Sequence, residues 1–184
     1  NTIDYQYVPL NQIGVEDFEA FLALRYYSNL TDLSFKGTSS TYLFDDSEHA
    51  NKLFDIITSV TKSLESLTMN YTGLSNIESI DSLVTLLSLD LRFNYEKDNY
   101  EGLYDINSLL ELTHNMEVEK EDYLSYLNVY GTDVNFMFSE SIFAYLYQKN
   151  NSSELWYNDN GIETLYSPGN ILSNESMAIN LCSL

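Results

Sequence analysis

The chain has 184 residues, 44% of them hydrophobic, and sets 28 acidic residues against 8 basic ones for a net charge of −20. That length and apolar content suffice for one domain with a core and exclude a disordered chain. The charge disfavours nucleic acid and anionic lipid as partners and favours basic ones, and a single cysteine, Cys182, excludes an internal disulfide.

No apolar run approaches the roughly 18 residues of a membrane helix. The opening NTIDYQYVPL has neither the basic start nor the apolar core of a secretory leader. Without a disulfide framework the chain points to a reducing compartment, or to a bacterial surface where cysteine is scarce. Asn-X-Ser/Thr triplets at Asn29, Asn70, Asn150, Asn151 and Asn174 occur about as often as chance gives, so secretion stays open. The acidic groups DDSE (45–48) and EVEKED (117–122) read as solvated faces rather than tails.

In chain order, IDYQYV (3–8) alternates Ile3, Tyr5 and Tyr7 with Asp4 and Gln6, which predicts a strand ended by Pro9. VEDFEAFLALRYY (15–27) gathers Phe18, Phe21, Leu22 and Leu24 near one helical face. SEHANKLFDIITSVTKSL (47–64) does so with Ala50, Leu53, Phe54, Ile57 and Val60, and Ser47 is its expected N-cap. A short helix or turn is expected at 75–83, around Ile77, Ile80 and Leu83. Further helices are expected at 100–112 and 139–148. On that reading LLELTHN (109–115) is helix, not strand.

Between these segments a motif recurs. LLSLDLRFN (86–94) follows L-x-x-L-x-L-x-x-N with Leu86, Leu89 and Leu91. LTDLSFKGT (30–38), LESLTMNYT (64–72) and LSYLNVYGT (124–132) repeat the apolar positions, with Thr in place of the closing Asn. IETLYSPGN (162–170) is expected to be a fifth copy, although Ser167 stands at its third apolar position. The chain therefore reads β-α-β-α, one short strand per repeat, in a single domain over 1–184 with terminal caps at 1–29 and 171–184.

These residues resemble the leucine-rich repeat family, whose consensus is L-x-x-L-x-L-x-x-N/C-x-L. The resemblance covers most of residues 30–172. It implies an α/β solenoid with short parallel strands on the concave face and helices on the convex face. The repeat length varies from 22 to 38 residues. That irregularity is more similar to intracellular, helix-backed members than to the regular internalin-like ones. An ordinary α/β domain with leucine-rich parallel strands stays open as the alternative.

Catalysis has little to stand on. His49 and His114 are the only histidines, and both are expected at helix surfaces or ends. No zinc spacing, nucleophile elbow or phosphate-binding glycine loop occurs. YNDNGIE (157–163) offers Asn158, Asp159 and Asn160 but lacks the spacing of a calcium loop. No enzyme activity, cofactor or metal is expected.

In the repeat frame, the positions between the leucines face out of the sheet. They are Asp32, Ser34 and Lys36; Ser66, Thr68 and Asn70; Ser88, Asp90 and Arg92; Tyr126, Asn128 and Tyr130; and Thr164, Tyr166 and Pro168. The tyrosines combine contact area with a polar tip, as interfaces favour. Arg92 is expected to be an internal ion-pair partner of Asp90's neighbours rather than a ligand clamp. The expectation is a non-enzymatic scaffold that binds a basic protein on the concave sheet. The alternative is an acidic inhibitor or immunity protein that neutralises a basic toxin or nuclease.

Overall fold

The alternating leucines of the repeats form strands that lie side by side in chain order. In the computed structural model, which describes residues 2–6, 15–119 and 123–168, the elements are β1 (Thr2–Gln6), a 3-10 helix (Val15–Tyr26), β2 (Asp32–Lys36), α1 (Ser47–Val60) and β3 (Ser66–Asn70). They continue with a short 3-10 turn (Glu78–Ser82), β4 (Ser88–Asp90), α2 (Ser108–Glu119), β5 (Tyr126–Asn128), α3 (Phe136–Lys149), β6 (Glu154–Asp159) and β7 (Ile162–Leu165). The fold is α/β, with one seven-stranded sheet in the order β1-β2-β3-β4-β5-β6-β7. Neighbours from β1 to β6 are parallel and only β6–β7 is antiparallel.

The register stacks like on like. Leu33, Leu67, Leu89, Leu127 and Leu155 pair in one row, and each is at most 1% exposed. Leu30, Leu64, Leu86 and Leu124 precede the strands and are buried too. Phe18, Phe54, Ile57, Leu109, Met116 and Phe143 come from the helical segments into the same core. The helices thus cover one face of the sheet, while the alternate strand residues face away from it.

Several sequence expectations change in detail. Residues 15–26 form a 3-10 helix. Phe18, Phe21 and Leu24 recur every third residue, which matches three residues per turn, and Phe18 and Leu24 are buried. The cap of α1 is Asp46, not Ser47: its side chain accepts from the His49 N–H at 2.9 Å. Ser47 is buried instead, and its Oγ accepts from the Glu101 N–H at 2.8 Å, joining two repeats. The helix expected at 100–112 lies at Ser108–Glu119, so 109–115 is helical as expected.

The largest correction concerns the fifth repeat. It is β6, through Leu155 paired with Leu127, and not the stretch from Ile162. Asn160 (φ 51°) and Gly161 (φ 85°) form a two-residue loop. Two left-handed residues between strands are what a tight hairpin needs. Residues 162–165 therefore run back antiparallel. The expected cap at 171–184, with Cys182, lies outside the described residues, as do Asn170 and most of 1–14.

Candidate interaction surface

The uncovered face carries the positions that alternate with the buried leucines. Asp32, Ser34 and Lys36 on β2, with Ser66 and Thr68 on β3, are half-buried there, as are Ser88 and Tyr126. In β2, β3, β4 and β5 the expected outward positions alternate with the buried leucines as a strand's side chains must, but Asn70, Asp90 and Asn128 among them are themselves buried.

In β7 it does not. Glu163 pairs with Asn158, and Thr164 pairs with Tyr157, which packs against the core. The frame is off by one residue, and one residue turns every side chain to the other face. Thr164 and Tyr166 are thus removed from the open face. Tyr166 is 4% exposed, with its ring 5.8 Å from that of Phe143 and 5.9 Å from that of Tyr147. Glu163 and Leu165 take their place, opposite Asn158 and Trp156. The Asn160–Gly161 pair was the signal that could have shown this.

A polar network crosses the middle of the open face. The Arg92 guanidinium donates to Asp90 from Nε at 2.9 Å and from Nη2 at 2.8 Å, a forked pair. These hydrogen bonds hold the guanidinium pKa above its ordinary value although burial opposes them. Asn70 Nδ2 donates to Asp90 Oδ2 at 3.1 Å. Arg92 Nη1 also lies 4.0 Å from Glu163, which accepts from Asn128 Nδ2 at 2.7 Å. Asn128 Nδ2 reaches the Tyr126 hydroxyl at 3.2 Å, and the Tyr130 hydroxyl donates to the Gly161 carbonyl at 3.2 Å. Asp90, Asn70 and Asn128 are consequently buried polar groups, at 8%, 7% and 2% exposure. Arg92 is the internal ion-pair partner that its sequence context suggested, and its acceptor is Asp90 itself. Among the described residues two buried atoms, Ser34 Oγ and Asn70 Oδ1, have no hydrogen-bond partner.

Where the strands end, one asparagine organises the turn. Asn94 Oδ1 accepts from the Thr72, Gly73 and Leu74 N–H groups at 3.0–3.2 Å. Its Nδ2 donates to the Met69 and Leu91 carbonyls at 2.7 and 2.8 Å. The side chain thereby satisfies backbone groups of two successive repeats as they leave the ladder. In the corresponding place Thr132 makes the smaller bond, Oγ1 to the Val129 carbonyl at 2.7 Å.

Just before that turn, Tyr71 (φ 53°), Phe93 (φ 63°) and Gly131 (φ 68°) are left-handed at matching positions of three neighbouring repeats. A non-glycine residue there costs about 1–2 kcal/mol. The Tyr71 and Phe93 rings stack at 4.4 Å and 8°, and Phe93 meets Tyr130 edge-on at 5.5 Å. Such a stack adds about 0.5–1.5 kcal/mol beyond area burial. Both rings are only half-buried. Tyr42 extends the row, 6.1 Å from Tyr71, and Lys97 Nζ lies 5.6 Å from the Tyr42 ring centre. Burial raises the Tyr71 hydroxyl pKa, and the nearby Tyr95 raises it further.

The histidines lie elsewhere. His49 is not solvent-facing as expected: its Nδ1 is 2.6 Å from Asp46 Oδ1 and its ring stacks on Phe18 at 5.7 Å. His114 is exposed on α2. Among the described residues no group of three or more His, Cys, Asp or Glu could hold a metal ion, and no helix is long and apolar enough to cross a membrane. A cleft of about 550 Å³ opens beside the start of α1, lined by Asp46, Glu48, Asp55 and Glu101 together with Lys52 and Asn51.

No protein-family model matches the chain, and neither a curated protein nor a solved structure matches it.

Proposed function

We propose that the chain is a leucine-rich-repeat-like solenoid acting as a non-enzymatic interaction scaffold, whose concave sheet face binds a basic protein. The observation that carries this reading is the asymmetry of the sheet. A parallel sheet is ordinarily covered on both faces. Here one side is a wall of leucines under helices, and the other is a column of polar and aromatic side chains. Sequential strand order and the turn held by Asn94 support a stack of repeats. The net charge of −20 supports a basic partner, through complementarity and faster encounter.

The open face itself leans the same way. Asp32, Asp90, Glu154 and Glu163 outnumber Lys36 and Arg92 there. Tyr126 and Tyr130 stand at its centre, held by Asn128 and Gly161. The same charge surplus also fits the narrower role of an acidic inhibitor or immunity protein against a basic toxin or nuclease.

The test is retention of a purified basic partner, first captured at low ionic strength, by wild type and by a Tyr126→Ala/Tyr130→Ala variant. The expected result is a loss of about tenfold or more in affinity for the variant, as for interface tyrosines, and weakening of wild-type binding by salt. Unchanged affinity in the double variant removes the open face from the reading. Inhibition of the partner's own activity would select the inhibitor role.

A further inference from the structure

Tyr71 and Phe93, at the strand ends, lie outside the outward-facing column and take no part in the side-chain network on it; their row meets that column at Tyr130. Three observations converge there. First, Tyr71 and Phe93 keep large rings at left-handed positions where the next repeat has Gly131. A Cβ at Gly131 would come within 2.5 Å of the Phe93 ring, so that glycine also makes room for the ring beside it. Strained residues of this kind are held where the side chain has a use. Second, the rings form a continuous half-exposed surface, Tyr71 on Phe93 and Phe93 against Tyr130. Third, the chain already seats one of its own cations on this row, Lys97 over Tyr42.

The charge around the row is complementary to a cation. Asp45, Glu96, Asp98 and Asp133 are exposed or half-exposed around the adjoining turns. Of the two cations nearby, Arg92 is held in the fork of Asp90 and Lys97 lies on Tyr42.

We propose that the Tyr71–Phe93–Tyr130 ridge is a docking seat for an arginine side chain of a basic protein partner, whose guanidinium stacks on the Tyr71–Phe93 pair with its charge facing the surrounding acids. Arginine fits better than lysine because a planar, weakly hydrated guanidinium stacks on a ring at lower desolvation cost. The proposal rests on the basic-partner reading above and gives it a second contact, at the C-terminal ends of the central strands beside that face.

The probe is a twelve-residue arginine-rich peptide, with one version carrying lysine for arginine and another carrying the uncharged isostere citrulline. Each is titrated by calorimetry into the full chain and into a Tyr71→Leu/Phe93→Leu variant, which keeps apolar bulk at the row and removes its π faces. Wild type is expected to bind in the order arginine, lysine, citrulline. The leucine pair is expected to lose about tenfold for arginine and to bind arginine and lysine alike. A second measurement needs no variant: on binding to wild type, the arginine Cδ protons should shift upfield under the ring current of the stack.

Equal arginine binding by wild type and a folded leucine pair overturns the ridge but leaves the acidic-scaffold reading standing, provided that binding weakens with salt. An absent ring-current shift in a saturated wild-type complex overturns the ridge in the same way. No binding by wild type at low salt overturns both.

Discussion

The two faces of the same sheet follow opposite rules. On the covered face one row is leucine in every strand from β2 to β6, Leu33, Leu67, Leu89, Leu127 and Leu155. On the open face the row beside it reads Asp32, Ser66, Ser88, Tyr126 and Glu154, with four kinds of side chain in five strands. The next covered row pairs Phe35 with Met69, so packing against the helices excludes polar side chains while letting the apolar shape vary between rows. The open row touches no helix and is free to differ from strand to strand, and a partner can be recognised only where repeats differ.

Substitutions at five positions would break or sharpen that contrast. Leu89→Ala, at the centre of the covered row, should be the most damaging, with a loss of about 4 kcal/mol from the cavity it leaves. Urea unfolding would read it as a lower midpoint at unchanged slope, and a loss near zero would mean that the row is not one packed core. Asn94→Ala should cost about 3 kcal/mol, because the Thr72, Gly73 and Leu74 amides lose their acceptor in a buried turn. Asn94→Thr, which copies the residue at 72 and 132, should recover part of it in the same assay.

Asp90→Ala should cost about 1–2 kcal/mol by stranding Asn70 and the one-third-exposed Arg92. An additional Arg92→Ala change should then cost little, and a double-mutant cycle checks the coupling. Ser88→Ala on the open row should lie within about 0.5 kcal/mol of wild type in thermal unfolding. A large effect there would mean that the open face serves folding, not recognition.

Much of this was legible in the chain itself. The outward positions from Asp32 to Tyr130 follow from the strand period once one leucine frame is known, and LLSLDLRFN sets that frame. The role of Asn94 follows too, since a side-chain amide at a turn both accepts and donates. What failed was the C-terminal end. The IETL stretch carries apolar spacing close to the repeat, so pattern alone promoted it to a fifth copy and misplaced Thr164 and Tyr166. The turn chemistry of Asn160–Gly161 outranked that pattern, because a two-residue loop forces the chain back on itself whatever its apolar spacing. The ridge was hidden for another reason. Tyr71 and Phe93 stand after the alternating positions, and nothing in a one-dimensional pattern tells that their backbones turn left-handed and bring the rings together.

By itself the sequence determined the leucine core, the strands β2 to β5 and which of their side chains alternate with that core, because these depend on local period and apolar content. Only the tertiary structure decided that Asn70 from β3 and Glu163 from β7 join the Asp90–Arg92 pair, and that Tyr71 and Phe93 stack. Those contacts join residues of different strands and depend on register, and register is a property of the stacked sheet that no single strand contains.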